Sequence, residues 1–281
     1  MAQHAASSQF LNDWSAIRVT EPAAKKRLAE IGGQPYIATA PLLYVFVLDE
    51  HRNAAIAARK GVEVASDAFT LNGSYRFTQA QNDAVLALHA METAAYSLGL
   101  GCVILGSLLN DVPALIDLLN LPEYTYPVLG IAIGKPDQEP AVKPRMPRSM
   151  QFFENEYPSS DEKLLSGLDS FDAEVHKYYD LRDTERPVDA FSDQIAANAI
   201  DEGVNAKAVA VQAKRQGFRL ERVDRIHVSL RLIQQGPVDC NESAGPWFYM
   251  LPCSRYCPVM PCYCSAITFC GACSPSCGNV A

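Results

Sequence analysis

Apolar and polar positions along this chain switch between a period of two and a period near 3.6, and the switches mark its elements. Residues 15–20 alternate, which predicts a strand. Glu21-Pro22 then opens a helix, with the proline preorganised for the first turn and the carboxylate at the positive end of the dipole. Gly32-Gly33 ends it. Residues 42–48 are an unbroken apolar run with β-branched and aromatic members, which predicts a strand buried on both faces. A short helix is expected over 54–59, and the longest element over 77–98. In that helix Ala84, Leu88, Met91, Ala95 and Leu98 recur at steps of three and four. Ala80, Ala87, Ala90 and Ala94 widen the same face with small side chains, which predicts close packing against another helix. Gly99 and Gly101 stop it, and the small-residue run 98–107 is expected to turn the chain. Asn110-Asp111-Val112-Pro113 starts the next helix, with Leu115, Leu118 and Leu119 facing inward. Residues 127–134 form a second buried strand, residues 135–149 are Pro-rich and irregular, and helical patterning returns over 171–181, 193–200 and 205–216, with Gly217 as the last stop.

Bulk composition narrows the function classes. A chain of 281 residues accommodates one good-sized domain and a tail. The net charge of −8 argues against a nucleic-acid partner or an anionic membrane surface. The first residues lack the basic and apolar regions of a signal peptide, and no apolar stretch reaches the roughly 18 residues of a spanning helix, so the expectation is a soluble cytoplasmic protein. Cysteine divides the chain. Only Cys102 lies in the first 220 residues, and the other eight crowd the segment from Cys240 to Cys277. Residues 1–220 and 221–281 are therefore taken as a folded domain and a poorly structured Cys/Pro-rich tail.

Four places in the first part carry candidate chemistry, each with a plainer alternative. Ile104-Leu105-Gly106-Ser107 offers small residues and backbone N–H groups to a flat ligand, or is an ordinary connection between elements. Lys143-Pro144-Arg145 sets two cations in a stiffened loop able to clamp a phosphate, or is a solvated surface loop. Gln34 has an amide donor and acceptor for the polar edge of a ring, or simply follows a helix cap. Ser7-Ser8-Gln9 supplies hydroxyls and an amide for a phosphate or a ring, or forms a turn. The five histidines show no metal-binding spacing, His89 reads as a packing residue of the long helix, and Asp49-Glu50 and Glu154/Glu156 read as surface charges.

Set in order, the words Ser7-Ser8-Gln9-Phe10-Leu11, Gly32-Gly33-Gln34-Pro35-Tyr36, Ser97-Leu98-Gly99-Leu100-Gly101, Leu121-Pro122-Glu123-Tyr124, Gly130-Ile131-Ala132-Ile133-Gly134 and Lys143-Pro144-Arg145-Met146-Pro147 resemble the nitroreductase family, in particular its NADPH-dependent nitroreductase and flavin reductase branch. The resemblance covers residues 1 to about 220. It implies an α+β fold: a mostly antiparallel central sheet wrapped by helices, in an intertwined homodimer with FMN at the subunit interface. It implies a ping-pong oxidoreductase in which NADPH (or NADH) delivers a hydride to FMN and a nitroaromatic, a quinone or free flavin takes it. The hydride chemistry is the cofactor's, so no catalytic side chain is implied. Carried over by position, Ser7, Ser8 and Gln9 line the flavin or its phosphate, Gln34 meets the ring's polar edge, Ile104, Leu105, Gly106 and Ser107 cover one face and edge, and Lys143 and Arg145 hold phosphate and ribityl groups. Arg182 and Arg186 fall where this branch binds the NADPH 2′-phosphate.

Two departures shape the expectations. The family's His-Arg-Ser-x-Arg word, whose arginines grip FMN, has no counterpart here, as if the chain were short at its front. Charge-assisted phosphate bonds are about twice as strong as neutral ones, so weak FMN binding, or a non-catalytic remnant, is the alternative expectation. From Ser243 to the end the only charged side chain is Arg255. That tail reads either as sequence without a selected function, such as read-through in another frame, or as a metal-binding element built on Cys270-x-x-Cys273.

Overall fold

Two apolar runs form the centre of the sheet. In the computed structural model, which describes residues 1–138, 142–178, 185, 187–205 and 207–220, strand β2 (Leu42–Asp49) pairs antiparallel with β4 (Thr125–Gly134). Strand β1 (Trp14–Arg18) adds to the free side of β2, and β3 (Gly101–Leu105) to that of β4, giving the order β1-β2-β4-β3 with every pair antiparallel. The β2–β4 register slips between Phe46 and Val47, where Val47 pairs with Pro127 and Val128 is skipped. Proline has no N–H to give the ladder, so a bulge beside it is the arrangement that keeps the pairing on either side. All described residues belong to the unit Met1–Ile226; the second unit, His227–Ala281, lies outside them, and with it the tail's cysteines.

Alternation along β2 and β4 sorts side chains onto two covered faces. Leu43, Val45 and Ala132 join Leu28 and Ala29 of α1 (Pro22–Gly32) and Leu115 of α4 (Val112–Leu119) in one cluster. Phe46, Ile131 and Ile133 face Ala87, Leu88 and Ala95 of α3 (Ser74–Ser97) on the other. Helix α1 begins at Pro22 and closes on Gly33 at φ +62°, as its sequence signals predict. Helix α4 is capped by Asp111, whose Oδ1 accepts from the Ala114 N–H at 3.1 Å.

Three expectations change. The small face of α3 packs mainly on the sheet and on the N-terminal segment, with Val112 of α4 and Ala213 in the same cluster as Ala80 and Ala84; Ala80, Ala84 and Ala87 are fully buried there, while Leu98, counted in that face, is 75% exposed. Small side chains serve close approach to a pleated surface as well as to a helix. The turn after α3 is confined to Leu98, Gly99 (φ +72°) and Leu100, because Gly101–Leu105 continues as the edge strand β3. Helix α2 (Glu50–Arg59) starts at once after β2, capped by Asp49, whose side chain accepts from the Arg52 N–H.

The C-terminal part consists of short helices: α5 (Asp161–Leu164), α6 (Leu168–Val175), α7 (Phe191–Ala199), α8 (Glu202–Asn205) and α9 (Val209–Arg215). Helix α6 stops well before residue 181, and the helix expected over 205–216 is observed only over Val209–Arg215, after Ala208 at φ +38°. Gly217 (φ +83°) ends α9 as predicted, and Phe218 then inserts between Phe77 and Tyr124. No helix among the described residues is long and apolar enough to cross a membrane.

Candidate functional site

Helix α1 ends at Gly33, and that stop delivers Gln34 to the corner where β3 gives way to the 3-10 turn Gly106–Asp111. Gly32 lies against this turn so closely that a Cβ there would sit 3.1 Å from Ser107 Oγ. The Ser107 hydroxyl is buried and has no hydrogen-bond partner among the described residues. Beside it Gly106 is open, since an added Cβ would meet only Leu129 Cδ2 at 3.9 Å. Gln34 is half-buried, with its Oε1 accepting from the Tyr36 hydroxyl at 2.6 Å. The fold thus lays Gly32, two residues before Gln34, against the turn of Gly106 and Ser107. Leu105 has its side chain in the core beside Leu108 and leaves only its main chain to a ligand, whereas Ile104 is exposed.

Ser8 and Gln9 are held elsewhere, on α3, with Ser7 beside them in the chain. The Ser8 N–H donates to both oxygens of Asp83 at 3.0 and 3.2 Å, and Ser8 Oγ accepts from Gln79 Nε2. Gln9 Oε1 and Gln79 Oε1 both accept from Arg76, at 2.9 and 2.8 Å. Ser7 Oγ accepts from the Asn12 N–H at 2.8 Å. Gln9, Phe10 and Asn12 all have left-handed φ angles, of 52°, 60° and 50°. Gln and Phe disfavour that region, whereas Asn tolerates it, so the surrounding hydrogen bonds are what hold Gln9 and Phe10 there. It leads into β1, one edge of the sheet, whereas Ser107 follows β3, the other edge. Three strand spacings separate the edges, about 14 Å.

Lys143 and Arg145 are exposed, and the Arg145 guanidinium donates to the carbonyls of Lys143 and Pro144 at 2.8 and 3.2 Å. No hydrogen bond joins them to the other predicted site residues among those described. Arg182 and Arg186 lie outside the described residues.

What the sequence concealed is a buried acidic cluster. Asp49 and Glu50 are buried rather than surface charges, as are Asp13 and Asp83, while Glu154 and Glu156 are exposed. Among the described residues, both carboxylate oxygens of Asp13 and Oε1 of Glu50 have no hydrogen-bond partner. Burial, then the neighbouring Asp83 and Glu50, push Asp13 up to about 8. Burial likewise raises Glu50 to about 7, opposed by its bond from Asn53 and by the Arg76 charge. One signal was available: Asp83 falls in the helical phase of Ala80, Ala84 and Ala87. His89, by contrast, is exposed and faces Glu92 at 3.0 Å, so it is not a packing residue. A cavity of about 520 Å³ opens by β1, lined by Gln3, Asn12, Trp14, Arg52 and Met91 among others, and none of the predicted site residues lines it. Among the described residues no group of three or more His, Cys, Asp or Glu side chains could hold a metal ion.

Comparison with known proteins covers nearly all of this architecture. Residues 1–135 match the pattern described as "Nitroreductase family", and residues 143–221 that described as "Nitroreductase family, C-terminal domain". An "NADPH-dependent oxidoreductase" of Staphylococcus haemolyticus is 34% identical over 196 residues, covering 69% of this chain and 77% of the relative. The nitroreductase NfrA1 from B. subtilis superposes with a TM-score of 0.70 at 28% identity, over 77% of this chain and 86% of that one. The NADPH:FMN oxidoreductase from Vibrio harveyi, solved with NAD+, superposes with a TM-score of 0.65 at 27% identity, over 77% and 85%.

Proposed function

The chain belongs to the nitroreductase family and is an NAD(P)H oxidoreductase, and from that premise we propose that it works with FMN, held between two copies of the chain, and reduces a small-molecule acceptor such as a nitroaromatic, a quinone or free flavin. The observation that carries the cofactor reading is the corner of Gln34 and Ser107. A buried hydroxyl without a partner costs free energy unless something completes its bond, and it sits here beside an open glycine and an amide. The residues fit a flat ring with a polar edge. Bound FMN would supply reversible hydride transfer, accepting from NADPH and donating to the acceptor.

The chain's own residues bind and orient. Gln34 would offer its amide to the ring's polar edge, and Ser107 its hydroxyl. Gly106 leaves space for a flat face, and exposed Ile104 supplies apolar cover. Ser7, Ser8 and Gln9, and separately Lys143 and Arg145, would hold phosphate and ribityl groups. The separation of Ser7-Ser8-Gln9 from the corner across the sheet supports a site shared between protomers, each giving one edge. The edge strand β3 supports the same reading, because Val103 and Ile104 are exposed along it. Arg182 and Arg186 are assigned to the NADPH 2′-phosphate by the resemblance alone.

Titration of the purified chain with FMN, followed by gel filtration and the retained flavin absorbance, is the test. FMN co-eluting in proportion to protein, with NADPH oxidation that depends on it, is the expected result. No retained flavin and no flavin-dependent oxidation would defeat the reading. Arg145→Ala should weaken FMN by about 10- to 100-fold and riboflavin much less, the loss of one charged hydrogen bond to phosphate. Arg182→Ala and Arg186→Ala should raise the KM for NADPH and leave that for NADH nearly unchanged.

A further inference from the structure

We propose that Arg76 is a positioning residue that sets the hydrogen-bond polarity of the segment 7–9. Through Gln79 and Gln9 it leaves Ser8 Oγ and Gln9 Nε2 as donors held for the oxygens of a phosphate. That this phosphate is FMN's rests on the functional reading of Ser7, Ser8 and Gln9.

A guanidinium can only donate. Arg76 Nη1, on half-buried Arg76 of α3, reaches Gln79 Oε1 at 2.8 Å and Gln9 Oε1 at 2.9 Å. Both amides therefore turn their oxygen to it and carry their NH2 group at the other end. In Gln79, which is 8% exposed, that group donates to Ser8 Oγ. An amide N–H also can only donate, so the Ser8 oxygen accepts and its own proton is left over. No acceptor among the described residues takes this proton, or those of Gln9 Nε2. Ser7 ends in the same state, because its Oγ accepts from the Asn12 N–H at 2.8 Å. Three consecutive side chains thus have an oxygen engaged from within the protein and a donor left for a ligand.

The main chain beneath them is fixed independently. The Ser8 N–H is taken by Asp83, which is 2% exposed, and Arg52 of α2 holds the carbonyls of Asn12 and Trp14. A serine hydroxyl ordinarily rotates to suit its partner. Here Gln79 settles the Ser8 rotor, and Arg76 settles Gln79. A row of donors without acceptors suits an oxygen-rich anion, since a phosphate accepts several hydrogen bonds and those bonds are charge-assisted. Arg76 brings a permanent positive charge to the same segment.

Nuclear magnetic resonance of the ligand-free full chain tests the polarity. The Gln79 Nε2 protons should exchange with solvent about 3- to 10-fold faster in Ser8→Ala, which removes their acceptor, and in Arg76→Leu, which releases the amide. A Gln79 amide indifferent to either change overturns the proposal. FMN affinity, read by flavin fluorescence quenching, tests the consequence. Gln79→Glu still offers Arg76 an oxygen but presents a second oxygen to Ser8, so the hydroxyl proton turns inward. FMN should weaken about 10- to 100-fold, and riboflavin less than about twofold. Gln79→Met removes the donor without supplying an acceptor, so FMN should stay within about threefold of the wild type. A merely structural role for Gln79 would make Gln79→Met as damaging as Gln79→Glu, and that result overturns the proposal. The added charge of Gln79→Glu is separated in a Ser8→Ala background, where it should weaken FMN less than about threefold; an undiminished loss there also overturns the proposal. Ser8→Ala that leaves FMN affinity unchanged, with the exchange result as expected, supports the polarity and defeats the flavin assignment. Ser8→Ala that weakens FMN while the Gln79 amide ignores it supports the assignment and defeats the polarity.

Discussion

Asp13 and Glu50 illustrate how a side chain's surroundings, rather than its type, set its behaviour. Asp13 rises from 3.8 to about 8 and Glu50 from 4.5 to about 7, in both cases chiefly by burial. The native state therefore keeps protons that the unfolded chain releases. Their contribution to stability is complete below about pH 4, declines as pH rises, and is gone by about pH 8. The unfolding free energy should accordingly drop between pH 5 and pH 8, each retained proton contributing a slope of about 1 kcal/mol per pH unit. Asp13→Asn should remove one such share, and urea denaturation at the two pH values checks it; equal slopes in both proteins would contradict the assignment. Gly130 poses a different residue-scale constraint, since an added Cβ would stand 2.6 Å from Leu108 Cδ1 and 3.3 Å from Leu105 Cβ. Gly130→Ala should cost about 1–3 kcal/mol through overpacking, read as a lower urea midpoint with an unchanged slope. Neither constraint was legible in the sequence. Asp49-Glu50 looks like any surface acidic pair, and the close approach at Gly130 exists only because β3 and β4 lie side by side.

Elements were the most legible scale, because local signals set their ends. Pro22 and Gly33 bracket α1, and Asp111 with Pro113 opens α4, as the residues predict. Asp111→Ala should cost about 1 kcal/mol by freeing the Ala114 N–H, with a matching fall in thermal midpoint; an unchanged midpoint would mean that solvent replaces the cap. The periodicity of α3 was equally clear, yet its partner was not. A face of alanines states how closely something approaches and leaves open whether that surface is a helix or a sheet. The run 98–107 failed in the same way. Its glycines mark where α3 stops, but they do not exclude a strand, and pairing of Gly101–Leu105 with β4 made one. Helix α9 starts late, after Ala208 in a left-handed conformation, a residue with no breaker chemistry of its own.

At the scale of the whole molecule, one sheet holds two sets of candidate contacts at its opposite edges, and a shared site calls for two chains. Sedimentation at micromolar concentration should give twice the 30.7 kDa chain mass, and a charge placed on the edge by Ile104→Lys should shift the population to monomer and weaken FMN together. A monomeric wild type that still binds FMN would contradict the shared site. The sequence by itself determined the two central strands, the stops of α1, α3 and α9, the family and the ordered set of candidate residues, because each depends on neighbours within a few positions or on words kept in order. Only the tertiary structure decided which face of α3 meets the sheet, that Gly32 packs against Ser107 while Ser8 is seated on Asp83, and that four acids are buried together. Those outcomes depend on burial and on contacts between residues up to 75 positions apart, such as Ser8 with Asp83. No local pattern encodes the dielectric a carboxylate will meet once the chain has closed around it.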